Sequence, residues 1–324
     1  MAGAVTWGII STADINRKLI PGAHASPKVE LVGVASRNAA RAEEYAKEWD
    51  IPRSYGSYEA LLADPEIEAV YISLPNTLHC EWSIRALEAG KHVLCEKPLS
   101  RHVAEAEAAF DAAERTGCLL TEAFMYRHNP QTLRLRQLVE EGAIGELRLV
   151  RSAFSYSLYD EANIRLQTEL EGGALMDVGC YCVSGSRLLA GEPEEVHAHA
   201  WFGPTGTDWV LTANMRFPGD VLAIFDCGTA LVDRDELEAI GSEGSLFVDD
   251  PWHCDVPGIE LRREDGVERI ELDFSDSYRL ELENLSDAVR GEAELLLGRA
   301  DGVAQARALE ALHESATTGR VVAP

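Results

Sequence analysis

Three groups of residues in this chain have types and spacings suited to chemistry. Lys97 stands in "HVLCEKPLS" (92–100), before a proline that biases it to an extended conformation. The chain has few lysines (Lys18, Lys28, Lys47, Lys91 and Lys97), so most of its positive charge is arginine and a lysine here is not a routine surface choice. Its compact ammonium has a tunable pKa, which a guanidinium lacks. The second group, "GGALMDVGCY" (172–181), separates Asp177 and Tyr181 by four positions, which puts both on one helix face behind paired glycines that permit a sharp entry. A tyrosine acts as general acid or base once its pKa of about 10 is lowered. An ammonium within about 4–6 Å lowers it by roughly one to three units. Taken alone, D-x-x-x-Y reads first as the amphipathic face of a core helix. Cys180 and Cys182 invite a metal reading, but no second pair matches them, and no metal site is expected.

The third group is "VTWGIISTADINRK" (5–18), an apolar run, a small-residue turn and then helix formers. A strand, turn and helix of this kind sets backbone N–H groups and the positive helix end beneath a pyrophosphate. In the glycine fingerprint G-x-G-x-x-G, the first glycine makes the turn, the second admits the ligand and the third lets the helix pack on the strand. Here Ser11, Ala13 and Asn16 hold those places. Ser11 and Ala13 serve if their φ angles are negative. Asn16 is expected to loosen the helix–strand contact. The second strand ends in "VASRN", about twenty residues on, where an NAD site wants an acidic residue for the ribose 2′-hydroxyl. Ser36, Arg37 and Arg41 stand there instead, and arginine suits a 2′-phosphate. NADP is therefore expected in preference to NAD, unless Arg37 is only a solvated loop charge.

The elements that must position these residues fall into two rhythms. Up to residue 122, short apolar runs alternate with helical patterns, the signature of βαβ units and a parallel sheet. The loops "LPNTLH" (74–79) and "HVLCEKPLS" then lie at carboxyl ends of parallel strands, where such sheets place ligands. Cofactor contacts are expected from Ser11, Thr12, Ala13, Asp14 and Ile15 in the turn, with Ser36, Arg37 and Arg41 after the second strand. Leu74, Pro75, Asn76, His79, Glu96 and Lys97 supply the rest. After residue 123, strand-like stretches are joined by turn signals such as Phe217-Pro218-Gly219-Asp220, and two helices close the chain at about 278–290 and 301–317. "EAFMYRHNPQ" (122–131) carries the chain out of the first domain, so Met125, Arg127 and His128 are candidates for the substrate side, with Arg165, Lys97, Asp177 and Tyr181. His79 and His128 each read first as packed or hydrogen-bonded residues.

The fold class expected is α/β: an N-terminal Rossmann domain with a doubly wound parallel sheet (1–122), which binds NADP, and a C-terminal α+β domain (123–324). The second domain would have a large, predominantly antiparallel open sheet and serve substrate binding and oligomerisation. Its open face suggests a homodimer or homotetramer. At 46% hydrophobic content the chain can bury a large core. A net charge of −26 argues against nucleic acid and anionic membranes as partners, leaving a small-molecule substrate. That charge reads as a solvated acidic surface, of which adaptation to high salt is one form. The seven cysteines are odd in number and scattered, and neither a signal peptide nor an apolar run of about 18 residues is evident. A reduced, cytoplasmic protein is expected.

Over nearly its whole length the sequence resembles the glucose–fructose oxidoreductase, inositol dehydrogenase and rhizopine-catabolism (Gfo/Idh/MocA) family. The carrying stretches are "WGIISTADI", "GVASRNAARAEEYA", "SLPNTLHCEWSIRALEAGKHVLCEKPL", "EAFMYRHNPQ", "GGALMDVGCYCVSGSRLLAG" and "ALEALHESATTGRVV". The resemblance implies a nicotinamide cofactor in the first domain and a sugar-like substrate over it. The family's E-K-P lysine falls on Lys97, its acid/base position on Tyr181 and its preceding aspartate on Asp177. Inositol dehydrogenase-like members have histidine at the acid/base position. Tyrosine is similar to the branch with glucose–fructose oxidoreductase, dihydrodiol dehydrogenase and NADP-dependent D-xylose dehydrogenase. The implied reaction is hydride transfer between NADP(H) and a carbon of a sugar or cyclic polyol, with D-xylose or a similar aldopyranose oxidised to its lactone as the first choice. Alternatives are a trans-dihydrodiol or keto-sugar reductase, a glycosidase using a held nicotinamide, and a non-catalytic NADP-binding regulator. The glycine-poor turn departs from the family's usual G-x-G-x-x-A.

Overall fold

The computed structural model describes residues 3–324. In chain order the first stretch runs β1 (Val5–Ile10), α1 (Asn16–Ala25), β2 (Val29–Ala35), α2 (Ala39–Glu48), β3 (Arg53–Tyr55), α3 (Tyr58–Leu62) and β4 (Ala69–Ile72). Then come α4 (His79–Glu88), β5 (His92–Cys95), α5 (Val103–Thr116), β6 (Leu120–Glu122), α6 (Pro130–Glu140), β7 (Leu147–Ser157) and α7 (Cys180–Ala190). The chain continues with β8 (Glu195–Phe202), β9 (Asp208–Phe217), β10 (Val221–Gly228), β11 (Ala230–Gly241), β12 (Ser245–Val248), β13 (Ile259–Arg263) and β14 (Gly266–Ile270). It closes with α8 (Ser277–Val289) and α9 (Arg299–Thr318). Two compact units result: one reaches to His128 and takes in Asp276–Val303, the other comprises Asn129–Ser275 and Ala304–Pro324.

The first unit is built on a six-stranded sheet of order β3-β2-β1-β4-β5-β6, with every pairing parallel. Its central strand β4 is buried along its whole length and its neighbours β1 and β5 at all but one residue each, because crossover helices cover both faces, and this is why they read as apolar runs. Strand order reverses between β1 and β4, so the carboxyl ends of these two strands form the switch point where such sheets hold ligands. Ser11, Ser73 and the Glu96–Lys97 loop all leave the sheet at that end.

Residues 276–303 belong to this unit, although a split after residue 122 assigns them to the second domain. The physical reason is α8. Its Leu282 and Leu285 are fully buried in the core with Trp7, Leu19 and Ile20, each contributing about 1.5–3 kcal/mol of burial. The Trp7 indole N–H donates to Ser286 Oγ at 3.2 Å, and Arg290 grips Glu68 through two 2.7 Å bonds. A Cβ on Gly22 of α1 would lie 2.9 Å from the Arg279 backbone nitrogen, so the glycine is what lets α1 and α8 approach so closely. No local pattern near residue 122 announces a helix that returns from so far along the chain.

The second unit is built on an eight-stranded sheet of order β14-β13-β12-β11-β7-β10-β9-β8. It is antiparallel except where β10 lies parallel to β7. Burial alternates along β9, with Leu211, Ala213 and Met215 inward and Thr212, Asn214 and Arg216 outward, as expected of a sheet covered on one face. Helix α7 packs on β7, β10 and β11. Arg187 of α7 is buried and bonds Glu192 twice (2.7 and 2.8 Å) and Gln305 once (2.8 Å), while Gln305 donates to the Cys180 carbonyl at 2.8 Å. This network fixes the first turn of α7, which carries Tyr181. Among the described residues no helix is long and apolar enough to cross a membrane.

Candidate active site

The turn after β1 has an unexpected backbone. Ser11 has φ = +117°, in the region that favours glycine and not at the negative value expected for a residue with a side chain. Such a conformation costs about 1–3 kcal/mol and persists only when its surroundings hold it. Here they do. The Ser11 hydroxyl lies 2.9 Å from the Ser73 carbonyl oxygen and 2.8 Å from Ser73 Oγ, and it accepts the Ala13 N–H at 3.1 Å. Asn16 is wholly buried; its Nδ2 donates to the Ser11 carbonyl at 3.1 Å, and its Oδ1 accepts from Ser73 Oγ at 2.7 Å. Asn16 therefore fastens the helix to the strand instead of loosening it. Its amide reaches the groups that a glycine would have left to pack alone.

The same turn is equipped for an anion. The backbone N–H groups of Thr12, Asp14 and Ile15, just ahead of α1, have no hydrogen bond within the described protein. Arg41 donates from Nη2 to the Thr12 carbonyl at 3.2 Å, and it lines a cleft of about 230 Å³ with Thr12, Ala13, Tyr45, Arg17 and the acidic Asp14, Glu44 and Glu48, of which Asp14 and Glu48 are paired with Arg17. Arg37 is exposed at the end of β2, next to the buried Ser36, whose Oγ accepts the Asn38 N–H at 3.3 Å. Unspent N–H groups at a helix start with Arg41 beside them, and Arg37 exposed at the end of the next strand, suit the pyrophosphate and 2′-phosphate of NADP, so these residues fit that group.

Two further loops close on the same end of the sheet. Ser73 leads into Leu74, Pro75 and Asn76 after β4, and Glu96 and Lys97 follow β5, with a cis peptide between Lys97 and Pro98. Glu96 accepts a hydrogen bond from the Tyr71 hydroxyl, and Lys97 is partly buried. His79, expected among the cofactor contacts, is fully buried between the loops: Nδ1 is 2.8 Å from the Pro98 carbonyl oxygen and Nε2 is 2.7 Å from that of Leu74. Burial lowers its pKa, and the two carbonyls act against that shift. Both ring nitrogens are thus engaged with backbone, and His79 works as a fastener of the two loops. Met125, Arg127 and His128 share one short helical turn and are all buried. Arg127 lies 3.5 Å from Asp301, and burial pulls the His128 pKa down to about 4.

In the second unit, the chain enters α7 through a π-helical turn, Leu175–Gly179, a distortion often found at functional sites. The paired glycines set up that entry. A Cβ on Gly172 would sit 2.4 Å from the Arg165 carbonyl oxygen, and one on Gly173 (φ +123°) 2.0 Å from Asp208 Oδ1. The buried Asp208 accepts the Leu175 N–H at 2.7 Å and so caps the turn. Asp177 leaves the π turn toward Tyr156 of β7, whose hydroxyl donates to it at 2.5 Å, and toward Arg165, at 3.2 Å. Burial, and then the Asp177 charge, push the Tyr156 pKa up. Tyr181 is buried in an aromatic box, edge-on to Phe154 (5.3 Å between centroids) and tilted against Trp252 (6.0 Å). Cys180 and Cys182 are buried free thiols, that of Cys182 pushed up by burial.

Tyr156, Phe154, Trp252 and Ser73 stand at these positions without having been singled out by residue type. Tyr156 and Phe154 could have been found from the alternation of "SAFSYSL", which puts both on one face of a strand. Trp252 and Ser73 carry no such signal. Asp235, Asp250 and His253 bring potential ligand atoms within 4.8 Å of one another. Their carboxylates are committed to the protein: Asp235 to the Trp252 N–H (3.2 Å) and His253 (2.5 Å), Asp250 to the N–H groups of Asp255 (2.6 Å) and Val256 (2.8 Å). The trio fastens the loop that holds Trp252.

One unit carries a polar turn with free backbone donors after β1, and the other carries Tyr181 four residues after a hydrogen-bonded Asp177. Residues 5–124 match the model of an oxidoreductase family with an NAD-binding Rossmann fold, and residues 132–247 match the GFO/IDH/MocA C-terminal domain. A D-xylose 1-dehydrogenase (NADP(+)) of Haloferax volcanii is 39% identical over 98% of both chains, and a trans-1,2-dihydrobenzene-1,2-diol dehydrogenase of Danio rerio is 32% identical over 86% of both. A solved 3-ketoreductase from Actinomadura kijaniata, in complex with NADP and TDP-benzene, superposes with a TM-score of 0.91 at 30% identity, covering 97% of this chain and 98% of the other. The chain belongs to the GFO/IDH/MocA oxidoreductase family.

Proposed function

We propose that the protein is an NADP-dependent dehydrogenase that oxidises an aldopyranose such as D-xylose at C1 to the lactone. The observation that carries the cofactor assignment is the turn before α1, with its three unspent N–H groups and Arg41 over it. The extended likeness to the D-xylose 1-dehydrogenase of Haloferax volcanii supports the choice of sugar. Residues 1–122, completed by 276–303, serve as the NADP-binding domain, and the rest of 123–324 serves substrate binding and oligomerisation. Thr12, Asp14 and Ile15 hold the pyrophosphate, and Arg37 and Arg41 the 2′-phosphate. NADP supplies the hydride acceptor when bound.

Tyr181 takes the proton of the reacting hydroxyl, a positioned transfer worth roughly 10²–10⁴-fold in rate. Lys97 favours the tyrosinate by its charge and donates to the substrate oxygen or the cofactor ribose. Asp177, oriented by Tyr156 and Arg165, accepts from a neighbouring sugar hydroxyl. Met125, Arg127 and His128 complete the substrate side. A panel of aldopyranoses, keto-sugars and trans-dihydrodiols with NADP⁺ or NADPH tests the assignment. Turnover confined to keto-sugars or diols would move it to the reductase alternatives, and cofactor binding without any turnover would move it to the regulator.

The protein is further proposed to be a cytoplasmic homodimer or homotetramer. Trp201, Leu222 and Ile224, 57%, 50% and 40% exposed, stand on strands of the second-unit sheet, and a partner copy would cover them. A monomer by light scattering at micromolar concentration would overturn this.

A further inference from the structure

The buried hydrogen bonds around Ser11 do more than tolerate a missing glycine. Glycine adopts φ near +117° unaided, whereas serine relaxes out of it unless held. Three attachments hold it, and they are coupled. Ser73 Oγ gives its hydrogen to Asn16 Oδ1, so toward Ser11 it can only accept. The single Ser11 hydroxyl hydrogen is then shared between the two oxygens of Ser73. Asn16 completes the circuit by donating from Nδ2 to the Ser11 carbonyl. All three residues are buried, at 8%, 0% and 5% exposure for Ser11, Asn16 and Ser73, so loss of any one leaves a partner unsatisfied inside the protein.

We propose that Ser11, Asn16 and Ser73 form a positioning clamp that holds the cofactor turn in its strained conformation and ties it to the Leu74–Asn76 loop, and that the clamp sets the affinity for NADP(H). The inference rests on the reading of this turn as the NADP(H) site. Its physical content is preorganisation. The Ala13 N–H is consumed by Ser11 Oγ, so binding falls to the N–H groups of Thr12, Asp14 and Ile15. Those N–H groups follow Ser11 directly in the chain, so relaxation of its backbone angle would re-aim them. Ser73 directly precedes Leu74, so the same bonds that fix the turn also fix the start of a second cofactor loop. A ligand meeting a prearranged site does not have to order it.

The test is a double-mutant cycle read by NADPH titration, following quenching of the six tryptophans, with thermal melts of each cofactor-free variant. Asn16→Ala and Ser73→Ala are expected to raise the NADPH Kd about tenfold, because the turn loses its order before binding. Ser11→Gly removes the strain, so in that background Asn16→Ala is expected to raise Kd by less than about threefold. An equal factor in both backgrounds, or an unchanged Kd in Asn16→Ala, would overturn the clamp. If Asn16→Ala melts below the working temperature, the same cycle is run with Ser73→Ala. Failure of the wild-type protein to bind NADPH at all would be a different result, overturning the cofactor assignment itself.

Discussion

The hydroxyl oxygens of Ser11 and Ser73 lie 2.8 Å apart, across the switch point between β1 and β4. Through that contact a side chain forced into a glycine conformation becomes a link between two loops at the carboxyl end of the parallel sheet. His79 extends the linkage, spanning 2.7 Å to the Leu74 carbonyl and 2.8 Å to that of Pro98, next to Lys97. The loops after β1, β4 and β5 are thus joined by buried polar bonds in sequence, Ser11 to Ser73 and Leu74 to Pro98. In this turn, side-chain hydrogen bonds hold the conformation that a glycine would adopt unaided.

Arg37 is exposed at the end of β2, near the Tyr58 hydroxyl, and on the proposed reading it discriminates between the two nicotinamide cofactors together with Arg41, which is anchored on the Thr12 carbonyl. Arg37→Asp replaces a phosphate-binding fork by a group suited to the ribose 2′-hydroxyl. Loss of a charge-assisted contact of about 1.5–3 kcal/mol predicts an NADPH Kd raised roughly 10- to 100-fold with NADH binding retained. Parallel titrations with both cofactors check it, and an unchanged NADPH/NADH ratio would show that Arg37 is only a solvated charge.

Gly173 cannot carry a side chain without displacing Asp208, whose Oδ1 would sit 2.0 Å from the new Cβ, and its φ of +123° adds strain. Gly173→Ala is expected to cost about 3 kcal/mol of stability and to disturb the turn that carries Asp177. Urea unfolding would show it as a lowered midpoint. A midpoint within experimental error of wild type would mean that the turn before α7 is pliable.

Burial holds the His128 pKa near 4, whereas the unfolded chain titrates near 6.5. Between those values the unfolded state binds a proton that the folded state does not, so stability from this site is complete above about 6.5 and falls as pH drops toward about 4. The full effect is on the order of 3 kcal/mol. Denaturant midpoints measured across this range should decline with acid in the wild type and decline less in His128→Asn. Equal slopes in the two proteins would place the acid sensitivity elsewhere.

Much of this was legible in the sequence, for physical reasons that differ from element to element. The strands of the first unit announce themselves because burial on both faces demands continuous apolar runs, and the hairpins of the second because alternation and turn residues repeat. The cofactor turn was recognisable from the order of strand, small residues and helix. Its conformation was not, because φ at Ser11 is decided by Ser73 and Asn16, one of them 62 residues away. The same limit hid the assignment of α8 to the first unit and of Tyr156 to Asp177, both of which depend on contacts distant in sequence. Lys97, Asp177 and Tyr181 stood out by residue type and by the family's motifs. The aromatic box around Tyr181 is a product of packing, and only its strand half is periodic.

The central claim is that Tyr181 moves the proton in an NADP-dependent oxidation. The most direct measurement is the initial rate of NADPH formation from D-xylose and NADP⁺ by wild-type protein and by Tyr181→Phe, with the NADPH Kd of each determined alongside. The account predicts a rate lower by roughly 10²–10⁴-fold in the variant, with Kd changed by no more than about twofold. A variant that turns over at the wild-type rate would contradict it.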